Sequence, residues 1–114
     1  MKVFIVVRLQ VEGLHSWENC NIKEVDFLRN KHRHLFHIEC KKEVKELDRE
    51  IEIIQLKRKI SEFIESNSNN NNGYKCVDFG NMSCEEIAKH LFNTFNLDSC
   101  QILEDNENGA YVCR

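Results

Sequence analysis

Three of the five histidines of this 114-residue chain fall inside one short stretch, KHRHLFH, and two of them, His32 and His34, are two residues apart. In an extended strand, residues i and i+2 project from the same face, so both imidazoles can meet one ion. His15 lies just past a separate apolar stretch, and if the two stretches pair as strands it reaches the same point. Three neutral imidazoles leave one tetrahedral position open, the arrangement of a catalytic rather than a structural zinc site. Taken as residue types alone, an HxH pair with a distant histidine also suits ordinary surface or barrel-filling side chains. His37 falls on the opposite strand face and His90 on a helix, so neither is a candidate ligand. Cys20 is a candidate thiolate base, since a nearby cation lowers a thiol pKa, with an inert loop thiol as the alternative. Trp17 can either stack on a ligand ring or cover the edge of the core. Cys40, Cys76, Cys84, Cys100 and Cys113 lack CxxC spacing, which argues against a second metal site.

The elements that must position these residues are legible from periodicity. From Lys2 to Val11, residues Val3, Ile5, Val7, Leu9 and Val11 recur with period two, the pattern of a strand with one buried face. Gly13 breaks it, and a loop follows through Asn21. IKEVDFLRN suits about two turns of helix. Arg33 to Val44 reads as a second strand with His34, Phe36, Ile38 and Cys40 on one face, and a turn near Leu47-Asp48 would return the chain into EIEII as a third. Leu56, Ile60, Phe63 and Ile64 form the apolar stripe of an amphipathic helix over Gln55 to Ser66. The polar stretch at about 66–75 reads as a surface loop, because it has nothing to bury. Ser83 and Glu86 have capping-box spacing ahead of a second helix carrying Ile87, Leu91 and Phe95. Cys100 to Leu103 and the closing AYVC read as two last strands around the turn cluster EDNENG. Helices grouped between strands, rather than alternating with each one, favour α+β.

Bulk composition sets the class. With 41% apolar residues the chain can build one core as a single domain spanning 1–114. A net charge of −3 supplies no basic stripe for a phosphate backbone, so nucleic acid is not an expected partner. Six cysteines sit among long periodic segments with no proline, which reads as reduced thiols rather than a loop-rich disulfide scaffold. The opening MKVFIVVRLQVEG is too short and too interrupted for a signal or a membrane span, so no membrane association and a cytoplasmic location are expected.

At this point the residues resemble a known family, the tunnelling-fold enzymes of the 6-pyruvoyl-tetrahydropterin synthase and 6-carboxy-tetrahydropterin synthase type. VEGLH is similar to the family's phenylalanine-small-small-His element, with His15 as the ligand. HRHLFHIE is similar to its HGH-aromatic signature, matching His32 and His34, with Arg33 in place of the glycine. IEIIQLK looks like its DF-x-x-L-K junction, MSCEEIA like its PT-x-E-N-I-A helix start, and ILED like its last strand, with Glu104 at the Glu. The resemblance implies an antiparallel four-stranded sheet with two helices on one face, joined edge to edge into a barrel as a trimer or hexamer. It implies a zinc-dependent lyase acting on a pterin-like small molecule such as dihydroneopterin triphosphate, with His15, His32 and His34 on the zinc and Glu104 holding the ring. The family's catalytic Cys, about four residues before HGH, has no counterpart among Leu28, Arg29, Asn30 and Lys31, and Cys20 is the nearest substitute. Its Leu-Asp-His motif should follow the first helix, where this chain has Asp78 without a His. A protein that binds a pterin- or nucleotide-like ligand without turnover is therefore the alternative.

Overall fold

The structure is a computed structural model that describes residues 1–66 and 76–114. Alternation of β-branched and polar residues carries β1 over Val3–His15, two turns of pleat beyond Val11. The extra length runs through Gly13, where a side chain has no room. A Cβ there would lie 2.6 Å from Phe79 and 2.9 Å from Phe36, so the glycine allows both rings to close on the strand. After β1 the chain forms the short helix expected of IKEVDFLRN as a 3-10 segment at Lys23–Arg29; Val25 is non-helical within it, and none of its residues is buried. With no buried face, nothing offsets the cost of nucleating a regular α-helix so short.

β2 spans His32–Val44 and pairs with β1 antiparallel along its whole length, from Val3 opposite Val44 to His15 opposite His32. The expected third strand at EIEII does not form. Ile51 sits in a bend and Glu52 caps α1, Ile53–Glu65, accepting hydrogen bonds from the Ile54 and Gln55 amides at 3.1 Å each. The alternation of Glu and Ile fits either a strand or a helix start. The carboxylate at the cap decides it, leaving Ile53 and Ile54 exposed on the first turn while Ile60 and Ile64 are buried. Of the polar stretch at about 66–75, only Ser66, the C-cap of α1, belongs to the described residues.

Beyond it lie β3, Val77–Asp78, and α2, Cys84–Thr94, whose Ser83 and Glu86 form the capping box read from the sequence. β4 spans Ser99–Glu104 and β5 Asn108–Cys113. The sheet order is β3-β1-β2-β4-β5. Four strands are antiparallel as expected, but β3 adds a fifth, parallel to β1 beside Gly13 and Leu14, so the sheet is mixed rather than a four-stranded antiparallel one.

One cluster forms the core. Val7 and Leu9 of β1, Phe36, Ile38 and Cys40 of β2, and Cys100 and Ile102 of β4 face Ile60 and Ile64 of α1 and Ile87, Ala88 and Leu91 of α2. Both helices therefore cover the same sheet face, the one predicted from the period of two. Phe4, Val6 and Tyr111 lie on the opposite face and are exposed. The six thiols, all among the described residues, are free. Among the described residues no helix is long and apolar enough to cross a membrane.

Candidate metal centre

The two longest strands bring the three histidines together. Register places His15 directly across from His32 and Gly13 across from His34, and all three imidazoles stand on the core face at the end of the ladder that the helices do not fill. Ring centroids are 4.6 Å apart for His15 and His32, 5.0 Å for His32 and His34, and 5.4 Å for His15 and His34. Phe36, fully buried, supports them from below, its centroid 5.2 Å from that of His15 and 5.7 Å from that of His34. β4 contributes the fourth member. Glu104 pairs across from Phe36 and so presents its carboxylate to the same face. One donor atom from each of His15, His32, His34 and Glu104 can be chosen so that all four lie within 4.8 Å of one another.

The outer nitrogens explain why these rings point inward. His15 Nδ1 donates to the Met82 carbonyl at 2.9 Å, and His32 Nδ1 donates to the Asn30 carbonyl at 2.9 Å. A carbonyl can only accept, so each Nδ1 carries the hydrogen and each Nε2 of a neutral ring is left as a bare lone pair. His34 Nδ1 donates to Asp105 Oδ2 at 2.7 Å. Asp105 is itself pinned, since its other carboxylate oxygen accepts from the Leu35 amide at 3.0 Å and its own amide donates to the Leu35 carbonyl at 2.9 Å. The bond from His34, then that from Leu35, holds the Asp105 carboxyl below its ordinary pKa. Metal-binding histidines characteristically carry such outer partners, which fix tautomer and ring orientation.

The inner nitrogens are in deficit. His15 Nε2 is buried and has no hydrogen-bond partner among the described residues, although Glu104 Oε2 lies 2.8 Å away and also 3.4 Å from His34 Nε2. A buried lone pair and a carboxylate oxygen repel each other unless a proton or a metal ion is held by both. The donor set can hold a metal ion: three imidazoles and one carboxylate are the hard-to-borderline ligands that first-row divalent ions take.

A cavity of about 470 Å³ opens beside the cluster, lined by His15, His32 and Glu104 together with Trp17, Ser83 and Cys84 among others. Trp17, 41% exposed, stands on this wall rather than over the core. Cys20 is not brought here. It is buried, and its thiol donates to the Val25 and Ile22 carbonyls at 3.6 and 3.8 Å. The thiol at the centre is that of Cys84, at the first turn of α2, pushed up to about 12 by burial and by the neighbouring Glu104 carboxylate. His37 lies on the other sheet face, lining a separate cavity with Arg8 and Gln101, and His90 packs beside Phe63. The sequence places Asp105 only within the turn cluster EDNENG. The signal was its place next to Glu104, since the residue after a strand's last inward side chain is free to turn back toward the neighbouring strand.

Compared with protein-family models and with curated proteins, the sequence matches none.

Proposed function

We propose that this chain is a zinc protein acting on a small reduced-pterin-like ring, in the manner of the tunnelling-fold lyases that its motifs resemble. The observation that carries the metal reading is the set of three imidazoles whose Nδ1 atoms are all committed outward while a buried Nε2 is left without a partner. Zinc is the ion of choice for a compact set of imidazole and carboxylate donors without redox work, and when bound it supplies Lewis acidity toward oxygens of the ring's side chain. The protein's own contribution is placement. The β1–β2 ladder fixes His15, His32 and His34, Asp105 holds His34 in one tautomer, and Trp17 offers a flat apolar surface in the adjoining cavity. Among the described residues the sheet's outer edges are unpaired and the face of Phe4, Val6 and Tyr111 is exposed, which suits assembly into a homo-oligomer, because unpaired edges are otherwise a liability. Metal analysis of the purified chain, followed by incubation of the zinc-loaded protein with dihydroneopterin triphosphate, tests this reading. The expected result is about one zinc per chain and a new pterin product; absence of zinc, or no product at any metal load, counts against it.

A second reading, ligand binding without turnover, is favoured by the placement of Cys20. Its thiol is spent on two backbone carbonyls and it does not line the cavity, so the expected base is not at hand. Saturable binding of the pterin with no product supports this reading, and turnover abolished by Cys20→Ser excludes it.

A further inference from the structure

We propose that Glu104 is the fourth ligand of the metal, so that the protein itself closes the coordination sphere. The inference rests on the metal reading above and gives Glu104 a role other than the ring anchor that the resemblance implies. Glu104 is the last residue of β4, and its position across from Phe36 aims it at the core face on which the imidazoles converge. Its Oε2 lies 2.8 Å from His15 Nε2 and 3.4 Å from His34 Nε2, so one oxygen addresses two of the three rings. With His15 Nδ1 donating to the Met82 carbonyl, neutral His15 turns a lone pair toward that oxygen, and two acceptors face each other. A divalent cation bound by both atoms relieves it, and the same ion is within reach of a donor atom from each of His32 and His34, since all four donors lie within 4.8 Å of one another.

The charge balance points the same way. Three neutral imidazoles leave a divalent ion's full charge in a partly buried site, whereas one carboxylate halves it. Glu104 also lines the cavity, so as long as it holds the metal it is not available to accept from a ring, and a ring oxygen reaches the metal only by displacing it.

Cobalt(II) loaded in place of zinc reports coordination directly through its visible absorption. The wild-type cobalt protein is expected to show an intense four-coordinate spectrum that azide leaves unchanged. Glu104→Ala is expected to bind cobalt at least about tenfold more weakly and to change spectrum on azide addition, as the vacated position takes the anion. If Glu104→Ala does not fold, Glu104→Gln keeps the side chain's shape and should show the same weakening and the same azide response. Azide perturbing the wild-type spectrum as readily as the variant's, or cobalt affinity unchanged on substitution, overturns the proposal while leaving the three-histidine centre standing. No cobalt binding by the wild type, or binding indifferent to His34→Ala, overturns the metal reading and this proposal with it.

Discussion

The two ends of the β1–β2 ladder are built alike and used differently. At one end Val7, Leu9, Ile38 and Cys40 alternate inward and are sealed by α1 and α2. At the other, the same alternation on the same face brings in Gly13, His15, His32 and His34, and the cover is a cavity walled in part by the first turn of α2. Apolar side chains need only contact, so the first end is satisfied by burial alone. Imidazoles need partners, and the second end supplies them on one side of each ring only, leaving the inner nitrogens to something outside the chain. The seam between the ends is Phe36, which belongs to the core cluster and also lies under two of the imidazoles.

The sharpest way to break the comparison is to delete an imidazole from each face of the same strand. His32→Ala or His34→Ala should take metal content from about one ion per chain toward none, because each removes one of three histidine donors and no neighbouring side chain on the strand replaces it. His37→Ala, from the opposite face, should leave the metal in place. Elemental analysis of the three variants decides it, and equal losses for His34→Ala and His37→Ala would reduce the centre to a merely His-rich strand. The seam is the next largest effect. Phe36→Ala removes a fully buried ring and should cost about 3–5 kcal/mol in denaturant unfolding of the metal-free protein. It should also loosen metal binding, since the floor under His15 and His34 is gone; a variant that lost stability and kept full metal affinity would separate the two ends.

A smaller effect tests the outer hydrogen bonds. Asp105→Ala leaves the donor set intact and removes the carboxylate that orients His34 and accepts from the Leu35 amide, so metal affinity should fall roughly 10- to 100-fold while the chain stays folded. Equilibrium metal competition measures it, and unchanged affinity would mean that the strand alone holds the ring.

How much of this was legible follows the same division. Faces were readable wherever the period was two, so the shared face of His32 and His34 came from counting, as did the inward set of Phe36, Ile38 and Cys40, whereas His15 joined them only on the condition that the two strands pair. The Ser83–Glu86 capping box was readable because both of its bonds are local in sequence. What escaped depends on long-range partners. Cys20 looked available because it lies in the loop beyond His15, yet the 3-10 segment folds the Ile22 and Val25 carbonyls over its thiol. β3 is two residues long, too short to carry any period, and exists because Gly13 lets Phe79 close against β1. Asp105 gains its role only from a partner 71 residues away.

EIEII is the one segment where periodicity pointed to the wrong element, and it carries the last and smallest prediction. Glu50 and Glu52 alternate with Ile51 and Ile53 as they would in a strand, but the Glu52 carboxylate has two amide partners that exist only if a helix begins at Ile53. Those bonds hold its pKa below the ordinary carboxylate value, the Ile54 amide contributing most. A lowered folded-state pKa means that the stabilisation is present at neutral pH and fades as the pH falls through the carboxylate range, where protonation removes the acceptor. Glu52→Ala should therefore lower stability near pH 7 without touching the metal centre, none of whose candidate ligands lies in α1. In acid, below that lowered pKa, the variant and the wild type should converge, the cap being protonated in both the folded and unfolded wild-type chain. Urea unfolding at neutral and at acid pH measures this. A difference that persisted in acid would mean that Glu52 acts through packing, and that the helix start at Ile53 is set by the buried stripe of Ile60 and Ile64 alone.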